Sequence, residues 1–139
     1  EPEEKPLYAD LKEEAPPLVV NPIVILAVDD DALVLLNTKM MLEELGHTVF
    51  DARSGAEALE ILSRIAQVDL VITDQAMPSM TGVQLADAIG EAWPNLPIIL
   101  ATGYAELPAN TEAKLPRLSK PYSERDLAQA IAQAVVHNV

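Results

Sequence analysis

Three observations on this sequence predict an α/β fold built on a parallel sheet. Short apolar runs rich in β-branched residues recur at Ile23 to Val28, Val68 to Asp74 and Pro97 to Thr102. The first is continuously apolar, as expected of a central strand covered on both faces. Between the runs lie stretches suited to helix, each with a residue that caps or stops it. Strands alternating with helices imply parallel pairing and right-handed crossovers. A chain of 139 residues, half of them hydrophobic, is long enough for one such domain with a real core.

Residues 1–22 hold five prolines, six acids and two lysines. Proline fixes φ and lacks an N–H, so this stretch reads as an acidic, solvated linker or tail, with the domain at 23–139. Ile23 to Val28 is the first strand, and Asp29-Asp30-Asp31 follows at once. Ala32 to Leu45 is rich in helix formers, and Gly46 stands where a C-terminal cap is needed. Thr48 to Ala52 is a shorter strand. Ser54 can cap a helix from about Gly55 to Ala66, in which Leu59, Leu62 and Ile65 recur at helical spacing.

The third strand ends at Asp74, after which Met77-Pro78 forbids simple continuation. Thr81 can cap a helix through Trp93, with Leu85, Ile89 and Trp93 four apart and Pro94 as its stop. The fourth strand, Pro97 to Thr102, ends in a hydroxyl. Leu115 to Ser119 is the fifth, and its Pro116 suits an edge. Ser123 to about His137 closes the pattern as an amphipathic helix, with Ser123 and Asp126 as a capping-box-like start.

Charge and composition exclude several classes. The net charge of −13 opposes nucleic acid, whose binding needs clustered Lys and Arg, and equally an anionic membrane surface. With no cysteine, neither a disulfide nor a thiolate metal site is available. No apolar run approaches the roughly twenty residues needed to span a bilayer, and no secretory signal pattern appears, so a cytoplasmic location is expected. The chain starts at Glu1 without methionine, which reads as a piece of something longer.

The chemistry stands at the strand ends. Strand one delivers Asp29 and Asp30, strand three Asp74, strand four Thr102 and strand five Lys120. In a parallel sheet these ends open on one edge, where α/β folds bind ligands. Three carboxylates in one crevice repel and raise one another's pKa unless a cation intervenes. Mg²⁺ suits such a site, because it takes oxygen ligands from one or two carboxylates plus a phosphate. The chemistry implied is phosphoryl transfer to a carboxylate, with Lys120 and Thr102 neutralising and binding the transferred group. Taken singly, each residue has a plainer reading: helix caps for Asp29, Asp30 and Asp31, a turn acid for Asp74, a strand-end hydroxyl for Thr102, a surface lysine for Lys120. Capping is the role read for Asp31.

The conjunction resembles the receiver domain of two-component response regulators from about Ile23 to the end. The matching stretches are Ile25-Leu-Ala-Val-Asp-Asp-Asp31, Val71-Ile-Thr-Asp-Gln-Ala-Met-Pro78 with Met80-Thr-Gly82, Leu100-Ala-Thr102 and Ser119-Lys-Pro121. The resemblance implies a flavodoxin-like sandwich with strand order 2-1-3-4-5. It implies that Asp74 accepts phosphate from a phosphohistidine of a histidine kinase or histidine phosphotransfer domain. By the same resemblance Asp30, Asp74 and the Ala76 carbonyl ligate Mg²⁺, Asp29 acts through a water, Thr102 and Lys120 contact the phosphoryl group, and Lys120–Pro121 is cis.

Three departures from the family pattern bear on output. Arg117 stands where receivers usually carry a switch aromatic. The stretch between Thr102 and Lys120 is short and contains Pro108 and Pro116, so the fourth helix is expected to be short or absent. Ala-Thr-Gly-Tyr at 101–104 is similar to an atypical receiver subgroup and to C-terminal receivers of hybrid histidine kinases. Tyr104 and the loop 103–114 are therefore the expected switch, with no aromatic rotamer change on the fifth strand. Two other classes compete: a small phosphatase of the haloacid dehalogenase type, which Asp29-x-Asp31 suits but which leaves Asp74 unexplained, and an unphosphorylated docking scaffold. The expected context is a hybrid kinase, with a stand-alone regulator as the alternative and the oligomeric state open.

Overall fold

The computed structural model describes residues 22–103 and 115–137. In chain order these form β1 (Val24–Val28), α1 (Ala32–Glu44), β2 (Thr48–Ala52), α2 (Gly55–Arg64), β3 (Leu70–Asp74), α3 (Gly82–Ala92), β4 (Ile98–Thr102), β5 (Arg117–Ser119) and α4 (Glu124–His137). The strands make one sheet in the order β2-β1-β3-β4-β5, parallel throughout. This is the flavodoxin-like order that the resemblance implied.

Side chains of a strand alternate between faces, so a strand buried on both faces needs apolar residues at every position. Ile25 and Ala27 of β1 join Leu35, Leu42, Ile72, Ile99, Leu127 and Ile131 in a core beneath α1 and α4. Leu26 and Val28 join Val71, Ala58, Leu62, Leu85 and Ile89 in a second core beneath α2 and α3. That two-sided covering explains the unbroken apolar runs. It also puts the strand ends, which cannot be covered, along one rim.

The predicted caps form. The Asp31 carboxylate accepts from the N–H groups of Leu33 and Val34, Ser54 caps α2, and Thr81 with Gln84 makes a reciprocal capping box on α3. Ser123 and Asp126 exchange the same pair of bonds at the start of α4. Gly46, just past α1, has φ +104°, a conformation that a residue without Cβ adopts without strain. Element ends differ from expectation by one or two residues. β5 begins at Arg117 rather than Leu115, because Pro116 offers the ladder only its carbonyl, which accepts from Leu100 N–H. α2 stops at Arg64, where the next residue, Ile65, is already extended.

The expectation of a short or absent helix after β4 falls largely on residues 104–114, outside the described residues. Among the described residues no helix is long and apolar enough to cross a membrane.

Candidate functional site

β1, β3 and β4 lie side by side in the middle of the sheet, with β5 at its edge, so their carboxyl ends form a continuous rim. Val28 pairs with Thr73, Asp74 with Ala101 and Thr102 with Ser119, so the residues read from the sequence arrive at one level. Asp29, Asp30 and Asp74 each offer a carboxylate oxygen, and these oxygens lie within 4.8 Å of one another. Lys120 reaches past β4 to bring Nζ within 2.5 Å of Asp74 Oδ1. Thr102 is buried at the end of β4, and its carbonyl accepts from the Lys120 N–H at 2.9 Å. The Lys120–Pro121 peptide is cis. Asp31 is exposed and serves the helix.

Burial makes this rim electrostatically demanding. Asp29 and Asp74 are both nearly inaccessible to solvent, at 5% and 4% exposure. Burial raises the Asp29 pKa to about 6; the Asp31 N–H it accepts opposes that, the Asp74 charge adds to it and Lys120 offsets part. Three carboxylates against one ammonium leave excess negative charge at a rim where two of the acids are buried. An all-oxygen donor set with that imbalance fits a hard divalent cation, which would neutralise the excess without a proton. Such a site can also hold the negative oxygens of a phosphoryl group between the cation, an ammonium and a hydroxyl.

The turn after β3 packs tightly against the same rim. Gly82 lies so close to the strand end that a Cβ there would sit 2.5 Å from the Asp74 carbonyl oxygen and 2.6 Å from Leu100 Cδ1. Its absence lets the N-terminus of α3 press against the acid-bearing strand. Ser79 takes φ +70°, a left-handed conformation uncommon for a residue with Cβ. Ala76 is exposed in this turn. Arg117 points outward on β5, which alternates exposed, buried, exposed through Leu118 and Ser119. Tyr104 lies outside the described residues, so the expected switch at 103–114 is not described beyond Gly103.

Three neighbours escaped the sequence reading. Buried Gln75, next to Asp74, accepts from Val83 N–H through Oε1 and from Gly82 N–H through its carbonyl, tying α3 to β3. Arg53 brings Nε and Nη2 to 3.4 Å from the Asp30 carbonyl. Tyr122 shares a hydrogen bond with Thr38. For Gln75 and Tyr122 a polar residue one or two positions from a motif residue was the available signal, but the partner lies on another element; Arg53 carried no such signal.

Comparison with known proteins agrees with this geometry. Residues 25–132 match the family described as the response regulator receiver domain. The chain is 36% identical over 116 residues to the sensor kinase CckA of Brucella abortus, covering 78% of this chain but only 12% of that protein. It is 35% identical over 117 residues to the response regulator receiver protein CpdR of the same organism, covering 81% of this chain and 96% of that one. A receiver domain structure from Clostridium thermocellum superposes with a TM-score of 0.76 at 33% identity, covering 83% of this chain and 95% of the other. An acid pair, an acid, a hydroxyl and a lysine on successive strand ends, within a family match spanning most of the chain, make this chain a member of the receiver domain family of two-component response regulators.

Proposed function

We propose that this chain takes a phosphoryl group from a phosphohistidine onto Asp74. The observation that carries this reading is the approach of three carboxylates with Lys120 on Asp74. Mg²⁺ would be held by Asp30, Asp74 and the Ala76 carbonyl, with Asp29 acting through a water, and would supply positive charge at the phosphoryl oxygens. An Asp74 carboxylate oxygen attacks phosphorus while the phosphorus–nitrogen bond to the donor imidazole breaks, and the bonding pair returns to that nitrogen. The Lys120 ammonium and the Thr102 hydroxyl meet the transferred oxygens. Arg117 and Tyr104 are carried as readout positions on the resemblance alone. Family membership removes the ground for the dehalogenase-type phosphatase.

The donor surface we assign is the outer face of α1. Leu33, Leu36 and Met40 are exposed there at 69%, 52% and 56%, at helical spacing and beginning two residues from the Asp31 cap. A stripe of this kind suits the apolar face of a helical donor. We assign residues 1–22 as a linker and the context as the C-terminal receiver of a hybrid histidine kinase, with a stand-alone regulator as the alternative. The similarity to a sensor kinase and the acidic, proline-rich composition of that stretch support the first.

The test is incubation with Mg²⁺ and a small acyl-phosphate donor, read by intact mass. One added phosphoryl group, labile in base and absent from Asp74→Asn, is expected. A full-strength adduct in that variant would sink the assignment.

A further inference from the structure

Lys120 stands just past the end of β5, on a turn, and its backbone N–H donates to the Thr102 carbonyl at 2.9 Å. Two residues on, the Tyr122 hydroxyl lies 2.7 Å from Thr38 Oγ1, a contact between positions 84 apart in sequence. Thr38 is buried in the middle of α1, at 4% exposure. A β-branched hydroxyl residue is a poor choice for a buried helical position unless its oxygen finds a partner. Tyr122 supplies that partner, and its ring packs against the core that contains Leu35, Leu42 and Leu127.

α1 is in turn continuous with the acid loop. Its cap is Asp31, whose N–H donates to Asp29 Oδ1 at 2.9 Å. The two hydroxyls therefore close a frame that runs from Asp29 through α1 to Thr38, across to Tyr122, and back through the turn to Lys120 and Asp74. A cleft of about 490 Å³ lies between the turn and α1, lined by Val34, Asn37, Gly103, Lys120, Pro121 and Tyr122. Tyr122 thus forms one wall of this cleft while its hydroxyl meets α1 at Thr38. The Tyr122 phenol lies within the field of the site. Burial raises its pKa, the Thr38 bond opposes this, and Asp29, Lys120 and Asp74 all act on it. It stays a neutral hydroxyl at physiological pH.

We propose that Tyr122 is a positioning residue whose bond to Thr38 fixes the Lys120 turn against α1 and so sets where the Lys120 ammonium meets Asp74. It does not touch the phosphoryl group. The inference rests on the reading of Asp74 as phosphoacceptor and deepens it, because a small misplacement of a charge-stabilising group is expensive in a transfer reaction.

The test compares rates of acyl-phosphate labelling at saturating Mg²⁺ for the parent, Tyr122→Phe, Thr38→Val, Thr38→Ser and the Tyr122→Phe/Thr38→Val double variant. Each is paired with its melting temperature. Ile61→Val, in the opposite core, measures what lost stability alone does to the rate. Tyr122→Phe and Thr38→Val should each slow labelling by about tenfold, with the double variant no slower than either, while Thr38→Ser keeps the parent rate. Parent rates in Tyr122→Phe and Thr38→Val, additive losses, or an equal loss in Ile61→Val would each overturn the positioning role. A parent that takes no phosphoryl group would overturn the phosphoacceptor reading beneath it, which distinguishes the two failures.

Discussion

Lys120 Nζ and Asp74 Oδ1 stand 2.5 Å apart although 46 positions separate them in the sequence. Asp74 closes a central strand and Lys120 follows the edge strand, so the lysine spans the intervening β4 to reach it. The ammonium puts a positive charge directly against a buried carboxylate that has two others beside it. An ionised carboxylate is what a nucleophile requires. Lys120→Ala should therefore slow acyl-phosphate labelling sharply, and it should tighten Mg²⁺ binding, because one competing positive charge has gone. Labelling rate by intact mass and the midpoint of a Mg²⁺ melting titration check the two directions separately.

The cation prediction concerns Asp30, the more accessible of the β1 acids. A ligand that binds only the folded state stabilises it by mass action, by about 2.7 kcal/mol at a hundredfold excess over Kd. Mg²⁺ should raise the melting temperature of the parent, and Asp30→Asn should remove most of that rise. An unchanged rise would place the cation elsewhere.

Gly82 tests the fit of α3 against the strand that bears Asp74. A methyl group at this position would sit 2.5 Å from a backbone oxygen, which cannot swing aside as a flexible side chain would. Gly82→Ala should cost about 1–3 kcal/mol in urea unfolding. It should also lower labelling of Asp74, since relief of the clash moves the strand end.

The α1 stripe separates donor docking from chemistry. Leu36→Asp and Met40→Asp alter exposed side chains and should leave melting and acyl-phosphate labelling near parent values. Transfer from a phosphorylated histidine kinase or phosphotransfer domain should fall by about tenfold or more, as for loss of an interface hot spot. Equal rates from both donors in the parent and the variants would remove the stripe from the interface.

His47 gives the fold a pH dependence distinct from that of the site. It is buried, and Nδ1 accepts a hydrogen bond from Ile23 N–H at 3.1 Å, so the neutral ring is the one that fits. Burial holds its pKa below the usual 6.5. As pH falls through 6.5 the unfolded chain takes up a proton that the folded chain refuses. Stability is whole above that value, declines from there toward the lowered folded pKa, and levels off below it. The slope from one group is at most about 1.4 kcal/mol per pH unit. In His47→Asn, whose Oδ1 can accept the same bond, this part of the decline should vanish from urea unfolding measured between about pH 7.5 and about pH 5.5.

Much of the site was legible because of where its residues stand. Asp29, Asp74, Thr102 and Lys120 each close or follow a strand, and the end of a parallel strand is the one place a polar group escapes both covering layers. Their sequence positions thus imply their spatial neighbourhood. Gln75, Tyr122 and Thr38 carry no such mark. Gln75 matters through a bond to Val83 beyond a tight turn, and Tyr122 through a partner in the middle of a distant helix.

By itself the sequence determined the five strands, the caps that bound the helices and the set of acids on one rim, since each follows from local pattern and chain chemistry. Tertiary structure decided the rest, and α1 shows why. Leu33, Leu35, Leu36, Met40 and Leu42 are all apolar and occupy more than one side of the helix, so no periodic stripe marks its inner face. Packing turns Leu35, Thr38 and Leu42 inward and leaves Leu33, Leu36 and Met40 in solvent. The inward threonine pairs with a hydroxyl that only the folded sheet brings within reach, because that pairing depends on the crossover of β5 and not on any local preference.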